Sequence, residues 1–241
     1  MGSSDATPID YDDLKKRGFL RSRHEGLFTL RTRMPAGNYE TRHLEAVRSI
    51  AGEFGRGLAH LTTRQGIEIP YIRLQDIGKV EERCRQAGIL AGTSGPRLRA
   101  TTSCPGNNWC KRGLVDTFSL FERIEERGIV CALDLPHKFK IAVSGCPNAC
   151  TRVESSEIGV HGITAAPPGG YAVYVGGCGG RTPHYGFRLR GVYTEADVLD
   201  IIEKVVRFFR QNARPRQRLA ALIEEMGRDR FLERAGLEEK V

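Results

Sequence analysis

Four of the chain's seven cysteines fall into two short loops. Cys104-Pro105-Gly106-Asn107-Asn108-Trp109-Cys110 is a C-x5-C segment, and 35 residues later Gly145-Cys146-Pro147-Asn148-Ala149-Cys150 closes a C-x3-C segment. Four thiolates from two loops can hold one cubane iron–sulfur cluster, since cluster irons take Cys sulfur as their usual protein ligand. The Pro, Gly and Asn residues between them suit tight turns that let backbone approach a bound group. Structural zinc usually takes C-x2-4-C pairs, for which C-x5-C is too wide. A disulfide framework fits poorly with an odd number of cysteines and no other sign of an oxidising compartment.

The flanking residues carry the reading further. Thr102-Ser103-Cys104-Pro105 gives T-x-C-P, and Ser144-Gly145-Cys146-Pro147-Asn148-Ala149-Cys150 gives S-G-C-P-N-x-C. Leu135-Pro136-His137-Lys138-Phe139-Lys140-Ile141 runs into the second pair, while Leu30-Arg31-Thr32-Arg33-Met34-Pro35 and Leu61-Thr62-Thr63-Arg64-Gln65-Gly66 lie upstream. Together these segments resemble the sirohaem [4Fe–4S] sulfite and nitrite reductases over roughly residues 25 to 210.

That resemblance implies two cofactors, sirohaem and a [4Fe–4S] cluster. Cys104, Cys110, Cys146 and Cys150 would hold the cluster, with Cys150 shared between it and the sirohaem iron. Arg31 and Arg99 match the family's substrate-anion arginines, and Lys138 and Lys140 match its catalytic lysines. Arg33 and Arg64 fall to cofactor carboxylates, and further cofactor contacts fall to Gln65, Thr101, Thr102, Asn107, Asn108, Asn148, Gly176, Gly177 and Arg181. Gly176-Gly177-Cys178-Gly179-Gly180-Arg181 is similar to the family's V-G-G-x-x-G loop, with Cys178 where Asn is common and so no ligand. His137 stands where the family has Arg; it shares a side with apolar residues and reads as structural, and His184 has only a weak claim to the cofactor rim.

The implied reaction is the six-electron reduction of sulfite to sulfide, with nitrite to ammonia as the alternative on the same site. Arginines and lysines around the anion strengthen their hold as electron density builds, and protonated lysines can donate protons. The sequence has no flavin or nicotinamide fingerprint and no ferredoxin-type cysteine insert, so a separate ferredoxin-like donor is expected to bring electrons. Larger members of the family carry two such modules, and this chain holds one, which implies a homodimer or larger homo-oligomer with shared sites. Two other classes remain: an electron-transfer protein holding the cluster alone, and a zinc-stabilised binding module.

Composition sets outer bounds. A net charge of +8 invites a nucleic-acid reading, but the basic residues are spread along the chain and no nucleic-acid motif accompanies them. Twenty-nine arginines against eight lysines fit a carboxylate-rich cofactor and a small oxyanion better. No apolar run approaches the roughly 20 residues of a membrane span, and the polar, acidic start Met1 to Asp13 is not a signal peptide. A cytoplasmic protein binding neither nucleic acid nor membrane is the expectation.

The elements that must position these residues follow from periodicity. Residues 1 to 10 read as a disordered lead and Tyr11 to Gly18 as a short helix. Leu27 to Met34 alternates as a half-buried strand, which puts Arg31 and Arg33 on one face; such a pair is ordinarily just a solvated face. Thr41 to Phe54 and Asp76 to Ala87 are helices, the second bearing Cys84 as a plain thiol, around strands at 58–63 and 66–72. Gly/Ser/Pro residues at 91–96 mark the domain boundary. Arg97 to Ser103 leads as a strand into the first cysteine pair, and Cys110 starts a helix over Arg112 to Arg127, with Trp109 packing at the cluster. His137 to Val143 is a strand with both lysines on one face. Glu157 to Gly162 and Tyr171 to Gly176 are strands split at 165–170, followed by helices at 194–211 and 214–226 and a charged tail.

The fold expected is α+β: a ferredoxin-like (parachute-type) lobe over residues 21–95, then a sirohaem- and [4Fe–4S]-binding α/β lobe over 96–226. Residues 1–20 form the lead and 227–241 the tail.

Overall fold

Two units share the chain in the computed structural model, which describes residues 9–131, 133–164 and 169–240. The first takes residues up to Arg33, Tyr39–Thr62 and Gly66–Ser94; the second takes Met34–Asn38, Thr63–Gln65 and the chain from Gly95 onward. Most of the lead expected at 1–10, and residues 165–168 of the break expected at 165–170, lie outside the described residues.

The first unit holds α1 (Tyr11–Lys16), β1 (Phe19–Arg21), β2 (Leu27–Arg33), α2 (Thr41–Phe54), β3 (His60–Leu61), β4 (Ile67–Arg73), α3 (Ile77–Ala87) and β5 (Leu90–Ala91). Its strands pair antiparallel in the order β1-β2-β4-β3, with β5 also on β2. Alternation along β2 buries Phe28, Leu30 and Thr32 and leaves Arg31 and Arg33 half-buried on the other face. Ile50 and Val47 of α2, with Val80 and Cys84 of α3, supply the helical side of the core. Burial pushes the Cys84 thiol up to about 11, so it stays protonated. β1 and β5 were not foreseen, because two or three residues are too few to show a period.

The second unit is built on one mixed sheet. β6 (Thr102–Ser103), β7 (Ile141–Ser144) and β8 (Ile158–Thr164) run parallel, and β9 (Gly170–Val175) and β10 (Phe187–Arg188) return antiparallel, in the order β10-β9-β8-β7-β6. Every residue of β7 is buried, as befits a strand covered on both faces. Around the sheet lie α4 (Thr117–Glu126), α5 (Glu195–Asn212), α6 (Leu219–Met226) and α7 (Arg228–Ala235). Thr194 and Asp197 cap α5 reciprocally, and its buried Val198, Ile202, Val205 and Phe209 join Leu98, Phe139, Ile141 and Val173 in one core.

Three expectations are corrected here. The helix placed at Arg112–Arg127 begins only at Thr117, because the Asp116 carboxylate caps the amides of Phe118 and Ser119 at 3.0 and 3.1 Å. Cys110 therefore sits on a loop and not at a helix N-terminus. The strands placed at 97–103 and 137–143 are ladder only at β6 and β7. Before those, single bridges join Leu98 to Phe139 and Arg97 to Asp134, where a buried Arg97 side chain turns aside to that carboxylate at 2.8 Å. The stretch read as a charged tail contains α7, anchored by a fully buried Phe231 edge-on to Phe208 at 5.3 Å between ring centres.

Candidate iron–sulfur and anion-binding site

Both cysteine loops leave the carboxyl ends of adjacent parallel strands. Thr102 pairs with Ala142 and Ser103 with Val143, and the Cys104 amide donates to the Val143 carbonyl at 3.1 Å. Ligands of α/β sheets gather at that end of the strands. The loops touch through glycine: Gly106 lies at φ +55, and a Cβ on Gly145 would come within 2.5 Å of the Gly106 Cα. No side chain fits at either position, which accounts for the glycines in C-P-G and S-G-C-P. The Gly145 amide then donates to the Cys104 Sγ at 3.0 Å, and the Leu114 amide to the Gly145 carbonyl at 2.8 Å. Ala149 (φ +47) and Arg152 (φ +58) bend the second loop tightly around Cys150.

All seven cysteines are free thiols. Cys104, Cys110 and Cys146 are half-buried and Cys150 is exposed, while Cys84, Cys131 and Cys178 are buried. Among the described residues no three His, Cys, Asp or Glu side chains close on one metal-ion position. A cubane spreads four thiolates over four irons. Four cysteines on two touching loops, one sulfur already accepting a backbone N–H, therefore fit a cluster. Thr101, in the residues leading into the first loop, is buried with no hydrogen-bond partner for its hydroxyl among the described residues.

Beside Cys150 lies a pocket of about 460 Å³. Three cations line it, Arg64, Lys140 and Arg152, together with Gln65, Thr63, Thr102, Thr151, Ser155, Ser156 and Gly179. Arg64 is held from behind: its guanidinium donates from Nε to the Ala100 carbonyl at 3.1 Å and from an Nη to the Ile141 carbonyl at 3.5 Å. Loss of water around it pushes its pKa down to about 10, which leaves it charged at neutral pH. The Gln65 amide is clamped on Ser103, donating to its carbonyl at 2.6 Å and accepting its N–H at 2.9 Å. Lys140 is half-buried, and desolvation, then the field of Arg64, lowers its pKa below the ordinary lysine value.

Behind Lys140 stands Glu157, fully buried. One carboxylate oxygen takes the Arg218 guanidinium, with Nε at 2.8 Å, and the other takes the Lys140 amide at 2.9 Å. Burial raises the Glu157 pKa, and Arg218 works against that rise.

The remaining nominated residues are placed differently. Arg31 and Arg33 belong to the first unit, where Arg31 is paired with its cross-strand neighbour Glu68 at 2.6 Å. Arg99 and Lys138 are half-buried beside the Lys140 segment but outside the pocket lining, and Arg99 donates to the Gly95 carbonyl at 3.1 Å. His137 near them is half-buried, its pKa lowered first by burial and then by Arg218 and Lys138. Asn108 is tied to the Pro105 carbonyl and the Asp116 carboxylate, while Asn107, Asn148 and Arg181 are exposed. At Gly177 a Cβ would meet the Glu154 carbonyl at 2.2 Å, so close backbone packing alone demands that glycine. Gly176 and His184 line a separate pocket of about 230 Å³. Trp109, expected to pack at the cluster, is 69% exposed and lies edge-on to Phe118.

Sequence reasoning passed over Arg152, Thr151, Ser155 and Ser156. The available signal was position, since a turn directly after a ligand cysteine must line whatever that cysteine faces.

This arrangement is that of an iron–sulfur oxidoreductase. The chain belongs to the nitrite and sulphite reductase 4Fe–4S domain family, whose model matches residues 94–241, and the nitrite/sulfite reductase ferredoxin-like half domain matches residues 21–87. Its cofactors are sirohaem and a [4Fe–4S] cluster. The chain is 29% identical over 272 aligned positions to the coenzyme F420-dependent sulfite reductase of Methanocaldococcus jannaschii, covering 90% of this chain and 43% of that protein. It is 28% identical over 227 positions to a nitrite reductase [NAD(P)H] of Bacillus subtilis, covering 91% of this chain and 27% of that one. The solved structure of the Mycobacterium tuberculosis NirA protein superposes with a TM-score of 0.82 at 22% identity, over 97% of this chain and 49% of that chain. The chain thus spans less than half the length of each of these relatives. No helix among the described residues is long and apolar enough to cross a membrane.

Proposed function

We propose that this chain carries the reaction centre of a sulfite reductase that takes sulfite to sulfide with six electrons from a separate, ferredoxin-like donor protein. The observation that carries this reading is the convergence of Arg64, Lys140 and Arg152 on one pocket whose wall includes Cys150, alone of the four loop cysteines. Sirohaem and the cluster, when bound, supply the iron that takes the anion and the electrons that reduce it.

The chain's own residues do the rest. Cys104, Cys110, Cys146 and Cys150 would hold the cluster, and Cys150, on the pocket wall, would be the thiolate that links it to the sirohaem. Arg64, directed by the Ala100 and Ile141 carbonyls, would face a cofactor carboxylate from the pocket wall, with Thr101 and Thr102 near the same strand end. Lys140 and Arg152 offset the charge of an incoming anion, and the Ser156 hydroxyl can donate to its oxygens. Lys140, as an ammonium, would donate one of the two protons that each sulfite oxygen needs to leave as water, the second coming from solvent. When chains assemble as a homodimer or larger oligomer, Arg99 and Lys138 would complete the oxyanion set, joined by Arg31 where it leaves its ion pair with Glu68.

Nitrite is the second substrate, supported by a nitrite reductase relative that covers 91% of the chain. The test is the visible spectrum of anaerobically purified protein with iron and sulfide analysis, followed by sulfite and nitrite titrations of the reduced form. Sirohaem bands that shift with sulfite, at about five irons per chain for one cubane plus one sirohaem, support the reading. Cluster absorbance without macrocycle bands would make the chain an electron-transfer protein instead. Tighter binding and faster turnover of nitrite would reverse the substrate order.

A further inference from the structure

We propose that Glu157, held in a buried charge pair by Arg218, acts as a positioning residue for Lys140, fixing its backbone in the pocket wall and placing one anion against the cations that surround its side chain. The inference rests on the assignment of Lys140 to the anion pocket. It goes beyond that assignment by naming two residues which touch neither anion nor cofactor.

The geometry carries it. Glu157 opens the segment that leads into β8, and its carboxylate divides its bonds: one oxygen to Arg218, the other to the Lys140 amide at 2.9 Å. Its own carbonyl accepts the Gly176 amide at 2.9 Å, so the backbone at this point is fixed as well. Arg218, at the N-terminus of α6, reaches across to Glu157 and on to the Gly179 carbonyl at 3.4 Å, and Gly179 is part of the pocket wall. One fully buried carboxylate thus ties the Lys140 strand, the glycine loop and α6 together.

A buried carboxylate with one cation at its side is nearly neutral overall, yet its two charges act on Lys140 with opposite signs. The charged groups acting on Lys140 are Arg64, Arg218 and Lys138, which all disfavour its ammonium, and Glu157, which favours it. Arg152 adds a further cation on the pocket wall. Glu157 is the one anion among these groups. A neutral polar residue could hold the Lys140 amide equally well, so the charge is what distinguishes Glu157 from a merely structural hydrogen-bond partner.

The test uses the cofactor-loaded protein and needs no turnover. Trace acetic anhydride labelling across pH, read by peptide mass spectrometry, gives the pH midpoint at which Lys140 becomes reactive. Glu157→Gln keeps the shape and removes the anion, and should lower that midpoint by about one pH unit, a tenfold change in proton affinity. Arg218→Met leaves the carboxylate without its cation and should move the midpoint upward. Arg218→Lys should hold it near the wild-type value. Opposite signs for the two charge-altering variants support the proposal, and either variant alone tests it by its sign if the other does not fold. Equal signs, or no movement of Lys140, would overturn it and reduce the pair to a structural tie. Because the readout involves neither sulfite nor nitrite, a chain that failed as a sulfite reductase would still answer the question.

Discussion

Arg31 and Arg64 stand 33 positions apart, in L-R-x-R-x-P and L-T-x-R-Q stretches that each resemble the reductase pattern, yet the molecule treats them in opposite ways. Arg31 lies on β2 of the first unit and has a carboxylate directly opposite, Glu68, so its charge is largely balanced where it stands. Arg64 sits in a turn of the second unit, where carbonyl oxygens fix its direction. Carboxylate-paired arginines occur in both units, Arg97 and Arg218 among them in the second. In the first, Arg17, Arg73 and Arg83 also meet carboxylates of their own unit. In the second, Arg64, Lys140 and Arg152 gather on one pocket.

The contrast can be broken by substitution. Lys140→Met should have the largest effect, a loss of about 100-fold or more in turnover, as expected for removing a proton donor, with the visible cluster absorbance retained. The pH dependence of anion binding sharpens this. Lys140 has a pKa lowered by burial and by Arg64, so its charge is present at low pH and is lost as pH rises through a value below the ordinary lysine value of about 10.4. Sulfite affinity should therefore weaken as pH rises through that lowered value in wild type and become flatter in Lys140→Met, as followed by spectral titration.

Arg64→Met removes the donor from the Ala100 carbonyl and should cost about 1–3 kcal/mol in denaturant unfolding, the usual cost of a buried acceptor left unpaired. Asp116→Ala removes the cap of α4 and the partner of Asn108, at about 1 kcal/mol. Burial raises the Asp116 carboxyl, but Asn108 and the Ser119 and Phe118 amides outweigh that and hold it below its ordinary value. Its contribution is accordingly present above the unfolded pKa of about 3.9 and is lost as pH falls through the lower folded one, so the wild-type advantage should vanish in acid. Glu68→Gln should have the smallest effect on stability, under about 1 kcal/mol, because half-buried ion pairs of this kind contribute little. A Glu68→Gln cost equal to that of Arg64→Met would erase the distinction between the two arginines.

Much of the architecture was legible because its signals are local. The capping box at Thr194 and the apolar stripe of α5 lie within one helix, and the alternation of β2 within one strand, so each could be read from its own residues. The two cysteine pairs were legible for a similar reason: each is a short loop in which spacing limits the ligand geometry. The elements that escaped were short or terminated from afar. α4 starts late because Asp116 caps it while the Leu114 amide is drawn to Gly145, and α7 is stabilised by aromatic packing on Phe208, far from it in sequence.

By itself the sequence determined which residues could bind metal and anion: four cysteines at two spacings, and arginines and lysines in patterns that an anion site would use. Only the tertiary structure decided which of those cations share a pocket, that Arg31 faces Glu68, that Arg152 belongs beside Arg64 and Lys140, and that Glu157 stands behind Lys140. The physical reason is distance. A loop's spacing fixes its own conformation, but whether a charge is balanced or left for a ligand depends on neighbours tens of residues away in the chain. Those neighbours become defined only when the strands pair and the core closes.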